Sequence, residues 1–148
     1  MTITIGQAMR NAIEAERAAA RFYDRLVGKA SDDATRRFFE EMAQQERDHA
    51  SAIEEMANRV GTGELPTRAD TAVSTVETAP AWADADAIDL DDALTLALDA
   101  ENGAALYYDA LSDFCELGVK AFFEKMMRVE EEHARKLRDM IAARAKGR

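Results

Sequence analysis

The chain has 148 residues, with 19 Lys and Arg against 29 Asp and Glu, for a net charge of −10. That balance disfavours a nucleic-acid phosphate backbone as partner and suits a soluble surface able to attract cations. The single Cys115 excludes an intrachain disulfide and any Cys-x-x-Cys pair, and its apolar neighbours predict a buried free thiol.

With two prolines and seven glycines, the chain reads as one helical domain over 1–148. No apolar stretch approaches the ~20 residues of a membrane span, and the N-terminus lacks the features of a signal peptide. A cytoplasmic protein with no membrane partner is therefore expected.

Four helical segments follow in chain order. The first is predicted from about Thr4 to Val27, with a Thr4–Gln7 capping box and Gly28 as its stop. The second is predicted from about Asp32 to Val60, with Ser31 as N-cap and Gly61 as stop. Both prolines then fall in an aperiodic stretch, 61–88, which reads as a crossover linker between a first hairpin (1–60) and a second (89–148). At about 3.3 Å per residue it is long enough to cross a bundle of 25-residue helices, about 38 Å long. Trp82 is expected to pin it to the bundle surface. The third helix is predicted to begin near Leu90, capped by Asp89, with Asp91 and Asp92 in its dipole-favoured first turn, and to end before Gly118. The fourth is predicted from about Val119 to Ala145.

The two hairpins are repeats. Ala12–Leu26 aligns with Ala97–Leu111 at an offset of 85, matching Glu16 to Glu101 and Tyr23 to Tyr108. Phe38–Met42 aligns with Phe122–Met126 at an offset of 84, which matches Glu46 to Glu130 and His49 to His133. This predicts an all-α four-helix bundle made of two related hairpins with a long crossover.

Steps of three and four trace the inward seam of each helix. They run Ile5, Met9, Ala12, Glu16, Ala19, Tyr23, Leu26 in the first and Phe39, Met42, Glu46, His49, Ile53, Met56 in the second. The third gives Leu94, Ala97, Glu101, Ala104, Tyr108, Leu111, and the fourth Phe123, Met126, Glu130, His133, Leu137, Met140. Each seam is apolar or tyrosine except at its middle, which carries a glutamate or a Glu-x-x-His. Buried unpaired carboxylates cost several kcal/mol each. No lysine or arginine stands at that level of any seam, and protonating all four near neutral pH would need several large pKa shifts. Two divalent ions balance four carboxylates, with two neutral histidines as further ligands. The predicted metal ligands are therefore Glu16, Glu46, His49, Glu101, Glu130 and His133. Tyr23 and Tyr108 read equally as core aromatics or as hydrogen-bond donors to a ligand glutamate. Glu14, Glu54, Glu55, Asp99, Glu131 and Glu132 are expected to be solvated, and the seam methionines to fill the core.

This pattern resembles the ferritin-like superfamily, and the text around Ala19–Leu26 and Phe38–Met56 is similar to rubrerythrin-type proteins. The resemblance implies a di-iron site, with Glu46 and Glu130 bridging, Glu16 and His49 completing one metal, and Glu101 and His133 the other. Mn and Zn are further candidates. It also implies an oxidoreductase, peroxidase- or ferroxidase-type, that reacts with peroxide or dioxygen and draws electrons from an external donor. Non-catalytic metal binding or sequestration is the alternative. Three departures stand out. The chain ends 15 residues after His133 with one cysteine, so a rubredoxin domain is not expected. The one-turn neighbours of Glu101 are Leu98 and Ala104, where rubrerythrin peroxidases carry a further glutamate. Arg47 follows Glu46 where bacterioferritin has its haem methionine. A homodimer, with or without exchanged helices, is expected.

Overall fold

A computed structural model describes residues 4–59 and 89–147. The described residues form four α-helices: α1 (Ile5–Val27), α2 (Asp33–Arg59), α3 (Leu90–Ser112) and α4 (Leu117–Lys146), with no strand among them. α1 pairs with α2 and α3 with α4, the two-hairpin composition of a four-helix bundle. Each hairpin belongs to its own compact unit, residues 1–78 and 79–148. The linker, Trp82 and the Val60–Gly61 helix stop lie outside the described residues.

Two of the four helix starts are fixed by the predicted caps. The Thr4 hydroxyl accepts from the Gln7 N–H at 3.0 Å, and the Asp89 carboxylate from the Asp92 N–H at 2.8 Å. α2 differs by one residue. Asp32, not Ser31, accepts from the Thr35 N–H at 2.8 Å, and the Thr35 hydroxyl donates back to it. A carboxylate at that position satisfies an orphan amide and suits the positive end of the helix.

The α3–α4 turn also differs from expectation. α3 stops at Ser112, and α4 begins at Leu117, which places Gly118 inside the first turn of α4. A Cβ on Gly118 would meet nothing within 4 Å, so the glycine answers no steric need. Cys115 consequently lies in the turn and is half-buried rather than enclosed, its thiol donating to the Leu111 carbonyl at 3.2 Å. Burial pushes the Cys115 thiol above its ordinary range, against the opposing pull of Lys120.

The seams become the interior of each hairpin. Met9, Leu26, Phe39, Ile53, Leu94, Phe123 and Leu137 are all fully buried. The seam ends Ile5, Met56 and Met140 are only partly covered.

Removing the Asp89 cap (Asp89→Ala) is expected to cost about 1 kcal/mol, a Tm loss of about 2–4 °C in thermal unfolding followed by circular dichroism. Glu116→Ala, at a cap with no side-chain hydrogen bond, should stay within about 0.5 kcal/mol of the parent in the same assay. A raised thiol pKa means less thiolate at a given pH, so Cys115 should alkylate more slowly in the folded protein than in urea at about pH 8. Equal rates would contradict the burial of its sulfur.

Candidate metal centre

Each hairpin supplies one triad. In the first, Glu16 projects from the α1 seam, and Glu46 and His49, three residues apart, share one face of α2. Glu16 and Glu46 are fully enclosed, and the His49 side chain is 14% exposed. The His49 Nδ1 stands 3.6 Å from Glu16 Oε2 and 3.7 Å from Glu46 Oε1. The second hairpin repeats the arrangement with Glu101 on α3 and Glu130 and His133 on α4. His133 Nδ1 lies 3.6 Å from Glu101 Oε2 and 3.6 Å from Glu130 Oε2, and its side chain is 3% exposed. All six predicted site residues thus fall into two matched triads, and within each the candidate ligand atoms lie within 4.8 Å of one another.

The separations suit a shared ion better than a hydrogen bond. A nitrogen and a carboxylate oxygen in a hydrogen bond lie about 2.7–3.2 Å apart. Two donors each about 2.1 Å from one ion, and about 110–120° apart around it, lie about 3.5 Å from each other. Histidine with carboxylates is also a donor set for Fe, Mn and Zn. The residues present therefore fit a metal.

Charge decides the matter further. The buried polar side chains among the described residues are Asn11, Glu16, Glu46, Glu101, Ser112, Glu130 and His133. Four are carboxylates, and none is a lysine or arginine. Basic side chains are spent at the surface, where Arg10 and Arg17 bracket Glu14 at 3.1 Å each and Arg47 reaches Asp24 at 3.0 Å. Among the described residues the buried polar groups are thus mainly acidic, with no buried lysine or arginine, a state that favours cation binding.

The expected sorting of the other acidic residues holds. Asp99, Glu55, Glu131 and Glu132 are exposed, and Glu14 and Glu54 are half-exposed. Arg135 donates to Glu132 and holds that carboxyl below its usual range. Tyr23 and Tyr108 are buried. Tyr23 stacks on Phe39 (6.4 Å, 22°) and Tyr108 on Phe123 (5.9 Å, 14°), matching aromatic pairs in the two hairpins. Two interior polar residues lie off the seams, Asn11 and Ser112, and Ser112 donates its hydroxyl to the Asp109 carbonyl at 2.6 Å. Asn11 is 2% exposed and accepts from the Gln7 side chain at 2.9 Å. The Gln7–Asn11 spacing of one helical turn is the signal that marks it.

A model of the rubrerythrin family matches residues 7–141, nearly the whole described chain and both triads. The chain belongs to the rubrerythrin family. This rubrerythrin-family chain also shares its fold with a hypothetical protein from Pyrococcus furiosus. That likeness has a TM-score of 0.73 at 20% identity and covers 93% of this chain and 87% of the other. No curated protein matches it. No described helix is long and apolar enough to cross a membrane.

Glu16→Gln removes one buried charge and one ligand oxygen. The metal-free variant should unfold at the same temperature as the metal-free parent or higher, because a buried carboxylate is gone. Its stabilisation by added Zn²⁺ should fall to less than half the parent's, against about 2.7 kcal/mol for a parent at a hundredfold excess of ion over Kd. Scanning calorimetry of both proteins, with and without metal, reads both signs.

Proposed function

We propose that the chain is a single ferritin-like domain whose two triads form one dinuclear centre, natively iron, that reacts with peroxide or dioxygen. The observation that carries the reading is the set of four buried carboxylates beside two histidines, with no lysine or arginine buried among the described residues. Two divalent ions neutralise that charge, and membership of the rubrerythrin family supports both the count and the metal. In this reading Glu16 and His49 would hold one ion and Glu101 and His133 the other, with Glu46 and Glu130 as the remaining donors.

When bound, a pair of iron ions supplies reversible one-electron steps at each metal to the oxidant. The chain supplies the rest. Carboxylates are hard, anionic donors that serve both ferrous and ferric iron and stay ionised as its ligands. The ring Nδ1 of each histidine faces the carboxylates of its own triad at 3.6 Å, so it would complete the donor set of an ion held there. Fully buried Met9, Ile53, Phe123 and Leu137 keep the surroundings apolar and limit water. His49, more open than His133, marks the side from which a small oxidant reaches the triad. Reducing electrons come from a separate donor, and the protein acts in the cytoplasm.

The test is to load metal-free protein anaerobically with Fe²⁺ and then add peroxide or dioxygen. The reading expects binding to saturate at two ions per chain and near-ultraviolet ferric absorption to grow on oxidant addition. His49→Ala and His133→Ala should each weaken one of the two ions by about tenfold or more. Iron held without any spectral response would instead assign the chain to sequestration.

A further inference from the structure

The internal repeat supplies a control for each aromatic position, and one position departs from it. In the first hairpin Tyr23 meets Phe22 edge-on, with ring centroids 6.1 Å apart and planes at 69°. In the second, Tyr108 meets Tyr107 in the same way, at 5.8 Å and 67°. The stacked partners match as well, Phe39 on Tyr23 and Phe123 on Tyr108. Each of those phenylalanines has another at its edge, Phe38 and Phe122. The two clusters therefore differ in kind at a single ring, where Phe22 corresponds to Tyr107. They differ there in exposure too: Phe22 is fully buried, and Tyr107 is partly exposed.

That ring changes what the cluster can do. The chain has three tyrosines, Tyr23, Tyr107 and Tyr108. A phenol can give up an electron together with its O–H proton and later take both back, whereas a phenylalanine ring has no such hydrogen. Tyr23 and Tyr108 are both buried. Each stands seven residues after a candidate ligand, Glu16 or Glu101, about 10.5 Å along the same helix. A phenoxyl radical on Tyr23 would meet the rings of Phe22 and Phe39, neither of which can refill it. A radical on Tyr108 meets a second phenol, and that phenol stands at the edge of the core.

Taking the iron centre as proposed above, we infer that Tyr108 and Tyr107 relay a surplus oxidising equivalent from the metal centre to the surface. The need follows from counting electrons. Cleaving the O–O bond of peroxide takes two electrons. A centre with two ferrous ions supplies both, but a centre holding a single ferrous ion supplies one. Tyr108 supplies the other. The O–O bond breaks, Fe²⁺ becomes Fe³⁺, and Tyr108 gives one electron and its phenol proton. The products are one hydroxide, one water and a phenoxyl radical on Tyr108. An electron and a proton then pass from Tyr107 to Tyr108, which restores Tyr108 and leaves the radical on Tyr107. A small hydrogen-atom donor in solution, a thiol or an enediol, returns the hydrogen to Tyr107 and is itself oxidised by one electron. The surplus equivalent thus leaves through a partly exposed side chain, and the buried apolar residues around the triads are spared.

Electron paramagnetic resonance on the full-length chain tests the relay. All samples carry Tyr23→Phe, so that a tyrosyl signal can arise only from the second cluster. Metal-free protein is loaded anaerobically with Fe²⁺ at one ion per chain, mixed with peroxide and frozen, with and without ascorbate added after the peroxide. The Tyr23→Phe chain should show ferric absorption and a tyrosyl signal that ascorbate removes in a fast phase. Adding Tyr107→Phe gives the second cluster the ring composition of the first. It should keep the tyrosyl signal and lose the fast phase of quenching. Adding Tyr108→Phe instead should abolish the signal. Each change removes a hydroxyl and keeps the ring, and circular dichroism checks that the helices persist. Peptide mass spectrometry after repeated peroxide additions without ascorbate gives a second readout. Oxidation should collect on Tyr107, and in the Tyr107→Phe chain it should move to Tyr108 and its buried neighbours. Ferric absorption with no tyrosyl signal, quenching equally fast without Tyr107, or a signal that survives Tyr108→Phe would overturn the relay and leave the iron centre standing. No ferric absorption at all would overturn the iron reading and the relay with it.

Discussion

Four glutamates buried inside helical hairpins are the constraint from which the rest of the structure follows. An apolar interior resists a carboxylate unless a charge or proton offsets it. Among the described residues no lysine or arginine is buried, and several arginines are committed to surface pairs within a few residues of their acids or across a hairpin. The histidines stand beside the glutamates, and their Nδ1 atoms lie at a spacing suited to sharing an ion. The buried charge therefore makes stability and metal affinity one problem. A core that is costly when empty becomes favourable when cations enter it.

Duplication explains why the arrangement is so regular. Each hairpin carries one Glu on its first helix and a Glu-x-x-His on its second. Each also places a tyrosine two turns past the first glutamate and stacks it on a phenylalanine of the facing helix. The two copies have kept their interiors and let their surfaces diverge. Cross-helix ion pairs close the face of the first hairpin. The second presents inverted charges and exposed leucine and phenylalanine in their place.

Most of the interior was legible from spacing alone, because a seam of threes and fours leaves little freedom about which side chains face inward. Glu16, Glu46, Glu101, Glu130 and His133 are buried as that spacing requires, and His49 nearly so. What spacing could not resolve were choices between chemically similar neighbours. Ser31 and Asp32 both make good caps, and the acidic one prevailed. Gly118 reads as a stop, yet α4 starts before it because the turn at Asp113–Cys115 already ends α3 through its own backbone hydrogen bonds. Cys115 shifted to partial exposure with that turn.

If the buried acids hold two ions, crystals of the chain grown with Fe²⁺ or Zn²⁺, with diffraction recorded on both sides of the metal's absorption edge, will show two anomalous peaks per chain, one within about 2.3 Å of His49 Nδ1 and the other equally near His133 Nδ1, each also ligated by glutamates of the six. Metal bound only at surface acids, or fully buried glutamates with no ion among them, would contradict it.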